Sequence, residues 1–170
     1  MTNEELCKRL SAISSGDKAA FEEIYSEIRT PAFTVAYRIT QDRHLAEDIL
    51  QEFFVRLYRN PPETPLKNAR AYMMRTVHNL AVDALRKNPC NADIDNYENI
   101  SADCGSPDER LDINGALKGL SDEERRIVVL HVNGGLKFRE IAETEGLPLG
   151  TVLWKYRRAI GRLRDILNGY

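Results

Sequence analysis

Cysteine is scarce in this 170-residue sequence, and the three cysteines have none of the spacings typical of metal sites or disulfide frameworks. Cys7, Cys90 and Cys104 form no C-x-x-C pair, which suits a reducing cytosol better than a secreted scaffold or a zinc ribbon. The Glu-x-x-His pairs of di-iron helical bundles are also missing, and no His or Cys cluster occurs. We therefore expect no metal, no cofactor and no enzymatic activity.

Long apolar runs are missing as well. No segment approaches the roughly 20 apolar residues that span a membrane, and an N-terminus that carries Glu4 and Glu5 does not resemble a signal peptide. The alternation typical of β strands is nearly absent, whereas apolar residues recur with the period of a helix. These patterns predict an all-α, soluble cytoplasmic protein with no membrane insertion.

Charge is distributed unevenly along the chain. The net charge of −2 argues against a simple nucleic-acid binder. Residues 1–87 carry 13 Lys and Arg against 12 Asp and Glu, residues 88–115 carry 1 against 7, and residues 116–170 carry 10 against 7. We predict two small helical domains, residues 1–88 and 115–170, joined by a flexible acidic linker over residues 89–114.

The first half of the chain reads as a series of short helices. Helices are predicted over residues 4–13, from a capping Asp17 to Ile28, from Pro31 onward, and over residues 43–59. The exposed side of the last of these mixes acidic and apolar residues: Glu47, Asp48, Gln51, Glu52, Val55 and Tyr58. Such a face suggests a docking surface for a basic protein partner, but a solvated face fits the periodicity equally well.

A proline-rich loop over residues 60–68 precedes the next predicted helix, which Asn68 caps and which extends to Lys87. One side of this helix aligns Tyr72, Arg75, Asn79, Asp83 and Arg86. An aromatic ring, an amide and guanidinium groups can stack on unpaired bases, bond base edges and neutralise phosphate. The alternative is a polar face with a weak Asp83–Arg86 pair.

The C-terminal segment has the order of a helix-turn-helix. Ser121 and Glu124 form a capping box, and a helix over residues 137–145 is followed by a turn and a helix over residues 150–164. This last helix carries five cations and no acid, with Trp154 and most of the cations opposite its apolar side. Taken alone it could be a solvated basic face, but its place after a turn predicts DNA binding in the major groove.

Two separated matches make the chain resemble an extracytoplasmic-function (ECF) sigma factor of bacterial RNA polymerase. The sequences AFEEIY (residues 20–25), AEDILQEFF (46–54), AYMMR (71–75) and NLAVDALR (79–86) resemble region two of that family. The sequences FREIA (138–142), GTV (150–152) and RA (158–159) resemble region four. Both occur in the family's order with a connector between them.

The resemblance implies a function in transcription initiation, with core RNA polymerase, promoter DNA and an anti-sigma factor as partners. It implies that polymerase docks on Asp48, Gln51, Glu52 and Phe54. It implies that the minus-ten element is captured and melted by the loop over residues 60–68 together with Lys67, Tyr72, Arg75, Asn79 and Arg86. It implies that the minus-thirty-five element is contacted by Thr151, Trp154, Lys155, Arg157, Arg158 and Arg162. The acidic linker would enter the active-site and RNA-exit channel.

The sequence departs from the family pattern at two places. The loop reads Pro61-Pro62-Glu63-Thr64-Pro65 where an aromatic-basic-Gly run is common, and Trp154 stands where a small or polar residue is usual. A competing hypothesis is a helix-turn-helix regulator with a helical N-terminal sensor domain. It accounts for residues 120–167 but not for an acidic docking helix beside a melting strip.

Overall fold

The computed structural model describes residues 1–87 and 107–168, and within them every regular element is a helix. The predicted all-α fold is confirmed. The helices are α1 (Asn3–Ser14), α2 (Lys18–Thr40), α3 (Arg43–Arg59), α4 (Ala69–Lys87), α5 (Pro107–Lys118), α6 (Asp122–Val132), α7 (Phe138–Glu145) and α8 (Leu149–Asn168).

Helix α2 is the centre of the N-terminal group, where it packs against α1, α3 and α4. Ile24 and Ile28 of α2, Phe53 of α3 and Met73 of α4 are all at most 1% exposed. Burial of large apolar side chains at about 25 cal/mol per Å² is the main stabilising contribution in such a bundle. It fixes which faces of α3 and α4 point outward.

Side-chain caps set the beginnings of the helices. Asp17 Oδ1 accepts a hydrogen bond from Ala19 N, and Asp42 Oδ1 accepts one from Leu45 N. Asn68 Oδ1 accepts from Ala71 N at the start of α4. These bonds satisfy backbone N–H groups that the first turn of a helix leaves without partners.

The predicted break before Pro31 is wrong, because α2 runs without interruption from Lys18 to Thr40. Proline removes one backbone hydrogen bond in a helix interior. On both sides of it, however, the helix buries the same stripe, and Ile28, Ala32 and Val35 are fully buried. Tertiary packing of this stripe offsets the local cost of the proline.

The predicted linker is also shorter than expected at its C-terminal end. Residues 107–114 lie in α5, with Pro107 at the first position, where a missing N–H costs nothing. Helix α5 packs against α8, and Ala116 and Leu117 are buried. The rest of the predicted linker lies outside the described residues.

Helices α7 and α8 form the helix-turn-helix, and α6 packs against both. Val152 and Ala159 of α8 are buried with Ile127 of α6 and Ile141 of α7. Gly146 ends α7 with a left-handed φ of 66°, and its N–H donates to Ala142 O. This turn directs the exposed face of α8 away from the bundle.

Candidate protein and nucleic-acid interfaces

Helix α3 presents an acidic outer face. Asp48, Gln51 and Glu52 are exposed, and Glu52 pairs with Arg56 one turn away. The fourth predicted docking residue, Phe54, is only 5% exposed. It therefore offers one edge of its ring rather than a protruding side chain.

An aromatic groove of about 640 Å³ lies between α2 and α3, beside this acidic face. Phe54 lies on its floor, with its ring centroid 4.6 Å from that of Tyr25 and 6.1 Å from that of Phe21. Tyr58 and Val55 line the groove and are 46% and 43% exposed. Sequence reasoning missed the contribution of α2, although the helical period of Phe21 and Tyr25 could have indicated a shared face.

The loop between α3 and α4 is held by α1. Asn3 Nδ2 donates to the carbonyl oxygens of Leu66 and Lys67 at 3.2 and 3.3 Å, and its Oδ1 accepts from Ala69 N at 2.6 Å. Cys7 Sγ lies 3.5 Å from Leu66 O. One asparagine thus fixes both the end of the loop and the first turn of α4.

The predicted minus-ten strip lies on one side of α4, as its spacing requires. Tyr72 is 39% exposed, and Lys67, Asn79 and Arg86 are exposed. Arg86 lies 3.8 Å from Asp83, a surface pair of little energetic weight. These side chains are available to a ligand in this arrangement of the chain.

Arg75 differs from the rest of the strip because it contacts the helix-turn-helix. Its Nη2 lies 3.3 Å from Glu143 Oε2 and 3.4 Å from Glu140 O, both on α7. At the start of α4, Asn68 Nδ2 donates to Glu140 Oε1 at 2.9 Å. The first helix of the helix-turn-helix therefore sets acidic side chains against the strip.

A cluster of ionisable side chains, two of them buried, lies near this contact, and sequence reasoning missed it. His78 Nε2 lies 2.6 Å from Glu145 Oε1, and Arg126 Nη2 lies 3.0 Å from Glu145 Oε2. The His78 and Glu145 side chains are only 4% and 5% exposed. Burial raises the pKa of the Glu145 carboxyl, but the hydrogen bonds and charges of His78 and Arg126 outweigh it and leave that pKa below its ordinary value.

The recognition face of α8 is only partly composed of free cations. Trp154 is 56% exposed and Arg157 is exposed. Lys155 pairs with Glu123 of α6. Thr151 is half-buried at the start of the helix. The prediction that Trp154 points away from the core is confirmed.

Arg158 and Arg162 share one acidic partner, which sequence reasoning assigned only to a helix cap. Arg158 Nε lies 3.3 Å from Glu124 Oε1, and Arg162 Nη1 lies 3.0 Å from Glu124 Oε2. The Arg158 guanidinium also lies 5.2 Å from the centroid of the Trp154 ring. The face predicted to be basic is therefore partly neutralised from α6.

Within the described ranges, no group of three or more His, Cys, Asp or Glu side chains has an arrangement that could hold a metal ion. No helix in these ranges is both long and apolar enough to cross a membrane.

Two protein families match the chain, one in each helical group. The family described as Sigma-70 region 2 matches residues 24–89. The family described as Sigma-70, region 4 matches residues 116–165. The first matched segment covers most of α2 together with α3 and α4, and the second covers the end of α5, α6, α7 and most of α8.

Curated relatives extend the similarity over nearly the whole chain. The ECF RNA polymerase sigma factor SigE of Mycolicibacterium smegmatis is 32% identical over 91% of this chain, which spans 65% of that protein. The ECF RNA polymerase sigma factor SigK of Mycobacterium tuberculosis is 26% identical over 98% of this chain and 95% of its own length. SigW of Bacillus subtilis, also an ECF RNA polymerase sigma factor, is 28% identical over 95% of this chain and 96% of its own length.

Solved structures share the fold. The sigma factor RpoE of Bartonella quintana, in complex with the anti-sigma factor NepR, matches with a TM-score of 0.72 and 21% identity over 87% of this chain and 96% of that one. CnrH, in complex with the cytosolic domain of CnrY, matches with a TM-score of 0.71 and 19% identity over 97% of this chain and 98% of that one.

Proposed function

Because this chain belongs to the ECF sigma factors of bacterial RNA polymerase, we propose which of its residues bind polymerase and which bind promoter DNA. As a sigma factor it directs core polymerase to specific promoters and takes part in initiating transcription. Sigma factors are non-enzymatic initiation factors. In this proposal the polymerase alone carries out the chemistry, and the chain acts beside it in the cytoplasm.

The acidic face of α3 is the proposed polymerase-docking surface. Asp48, Gln51 and Glu52 supply exposed polar contacts, and Phe54 supplies an apolar edge in the groove beside them. Charged groups around an apolar centre are the usual composition of a protein interface. The observation that carries the assignment is this adjacency of an acidic face and an open aromatic groove on two packed helices.

The experiment is binding of the purified chain to core RNA polymerase. Glu52→Arg reverses a charge on the proposed surface and breaks only an exposed pair with Arg56, which contributes at most about 1 kcal/mol to folding. We expect the affinity for core polymerase to fall at least about tenfold, because like charges then face each other across the interface. Glu63→Arg makes the same charge change in the exposed loop and should bind normally. If Glu52→Arg and Glu63→Arg bound core polymerase with equal affinity, the acidic face of α3 would not be the docking surface.

Promoter contacts are proposed for both helical groups. The strip of α4 and its loop bind the minus-ten element through Lys67, Tyr72, Arg75, Asn79 and Arg86. The support for this role is an exposed aromatic ring beside cations. Helix α8 takes the minus-thirty-five element through Thr151, Trp154, Lys155, Arg157, Arg158 and Arg162. Its support is an exposed face on the second helix of a helix-turn-helix. The regulator hypothesis leaves the region 2 match unexplained.

The boundaries of the two binding units follow from the same assignment. We place polymerase docking and minus-ten recognition in residues 1–88 and minus-thirty-five recognition in residues 115–170. Because α5 begins at Pro107, the proposed connector ends before it, and residues 107–114 join the second unit.

An anti-sigma factor is a further proposed partner. The similar RpoE chain was crystallised with the anti-sigma factor NepR. In this chain the groove between α2 and α3 exposes Tyr25, Val55 and Tyr58. An apolar protein segment seated there would also block the proposed docking surface.

A further inference from the structure

Glu124 is a buried carboxylate that none of the roles assigned above uses. The residue is 3% exposed at the start of α6. Its Oε2 accepts hydrogen bonds from Ser121 N and Oγ at 3.2 and 3.0 Å. Burial raises the pKa of the Glu124 carboxyl. The hydrogen bonds from Ser121 and the charges of Arg162 and Arg158 outweigh this effect, so the pKa lies below its ordinary value.

The same carboxylate pairs with two α8 arginines. Arg162 Nη1 donates a hydrogen bond to its Oε2 at 3.0 Å, and Arg158 forms an ion pair with it, with Nε 3.3 Å from Oε1. The Arg158 and Arg162 side chains remain 47% and 43% exposed. A guanidinium is a rigid fork with five N–H donors, so fixing one edge fixes the direction of the donors on the others.

Arg158 extends this order to the exposed aromatic residue of α8. Its guanidinium lies over the Trp154 ring at 5.2 Å from the centroid, within the range of a cation–π interaction. Trp154 is 56% exposed, so much of its ring lies outside the packed interior. The Arg158 contact therefore connects this exposed ring to the pair with Glu124.

We propose that Glu124 is a positioning residue for promoter recognition, which holds Arg158, Arg162 and, through Arg158, Trp154 in the orientation in which α8 meets DNA. This inference rests on the proposed minus-thirty-five role of α8. A carboxylate near the interface adds a negative charge and so weakens attraction to phosphate. Its benefit lies in specificity, because preorganised side chains lose less conformational entropy on binding.

Glutamine separates this role from helix capping. A capping box accepts Gln as well as Glu at its third position, so Glu124→Gln keeps the cap and removes the two ion pairs. Ser121→Ala is the matched control, because it removes the Ser121 Oγ bonds of the cap and leaves the backbone N–H of residue 121 and both arginines on Glu124. Circular dichroism reports the helix content of each variant.

The probe is a duplex selected from a randomised library by the wild-type holoenzyme, compared with a scrambled duplex of the same composition. For Glu124→Gln holoenzyme we expect affinity for the selected duplex to fall about tenfold. Affinity for the scrambled duplex should stay constant or rise, because α8 loses a nearby negative charge. Ser121→Ala should preserve the ratio of the two affinities. The inference would be overturned if Glu124→Gln lowered the affinities for both duplexes equally. It would also be overturned if Ser121→Ala lowered the ratio of the two affinities as much as Glu124→Gln does.

A second variant tests the arrangement from the exposed side, where folding is not at risk. Arg158→Lys keeps the charge but offers neither a rigid edge to Glu124 nor a flat guanidinium to Trp154. Arg158→Lys should lower the ratio of the affinity for the selected duplex to the affinity for the scrambled duplex. An unchanged ratio would count against positioning by Glu124.

Two alanine variants separate failure of this inference from failure of the proposed function. Arg158→Ala and Arg162→Ala should each reduce the slope of log affinity against log salt by about 0.9. If neither changes the slope, or if the wild-type holoenzyme selects no sequence, the role of α8 is wrong. If both change it while Glu124→Gln keeps the ratio, only the Glu124 inference fails.

Discussion

Tyr72 and Arg75 lie about one turn apart on α4, yet their surroundings differ. Tyr72 is 39% exposed, whereas Arg75 is bound to Glu143 and to the backbone of Glu140. A ring that projects from a rigid helix beside a loop is placed to stack on an unpaired base. An arginine that is bound to a carboxylate and a backbone carbonyl must first be released before it can bind phosphate.

Replacement of Tyr72 tests stacking directly. Tyr72→Ala should reduce promoter opening by the holoenzyme about tenfold, because stacking of one base contributes about 1–3 kcal/mol. Tyr72→Phe keeps the ring and loses only the hydroxyl, so it should open the promoter as the wild type does. Permanganate reactivity of unpaired thymines measures the opening. Wild-type opening by the alanine variant would remove Tyr72 from the minus-ten site.

Residue exposure could be predicted from sequence wherever the helical period decides it. The outward position of Trp154 and the inward position of Val152 follow from rotation about α8 alone. The arginine partners of Glu124 and the partners of Glu145 could not be predicted in this way. Each contacts residues far away in the sequence, and periodicity carries no information about which helix covers which.

At the scale of the element, helix beginnings were predictable and helix continuity was not. Asp17, Asp42 and Ser121 cap helices as their local chemistry indicates. Pro31 and the acidic composition around residue 110 both indicated a break that the structure does not contain. In α2 the reason is tertiary burial, which outweighs a local preference.

Gly146 gives a prediction for the turn between α7 and α8. Its φ is +66°, and a Cβ added there would meet nothing within 4 Å, so any effect of a side chain comes from backbone strain. Gly146→Ala should lower the free energy of unfolding by about 1 kcal/mol. Gly161→Ala is the matched control in α8, where space is also open and no left-handed φ occurs. It should stabilise by up to about 1 kcal/mol. Urea unfolding measures the free energy of unfolding of both variants. Equal values for Gly146→Ala and Gly161→Ala would contradict the claim that a side chain at residue 146 strains the backbone.

At the scale of the whole molecule, the two helical groups lie in a closed arrangement. Helix α2 contacts α6, and Arg38 Nη1 donates to Asn133 Oδ1 at 2.7 Å. Helix α7 covers Arg75 of the proposed minus-ten strip through Glu143 and the backbone oxygen of Glu140. If the proposed minus-ten role of Arg75 holds, its contacts with Glu143 and the backbone of Glu140 compete with DNA for the same guanidinium.

The Glu145 cluster makes the closed arrangement sensitive to acid. The pKa of Glu145 lies below its ordinary value of 4.5 in the closed form, so the carboxylate is bound more strongly than the neutral acid. Its contribution is fully present above pH 4.5 and is lost as the pH falls through the lowered value. Acidification over that window should therefore increase the radius of gyration measured by small-angle X-ray scattering.

Removal of the Glu145 charge should open the molecule at neutral pH. Glu145→Gln removes the buried carboxylate that contacts His78 of α4, whereas Arg126 of α6 lies in the same group as Glu145. Loss of one hydrogen bond to a charged group should weaken the contact between the groups by about 2 kcal/mol, or roughly thirtyfold in the ratio of closed to open forms. Glu143→Gln is the matched control on the same helix. The Glu143 side chain is 70% exposed, and its pair with Arg75 contributes at most about 1 kcal/mol. Scattering should show an expanded Glu145→Gln chain and a compact Glu143→Gln chain. If the two variants expand equally, the buried cluster does not hold the groups together, and the surface contacts with Arg75 and Asn68 must be responsible.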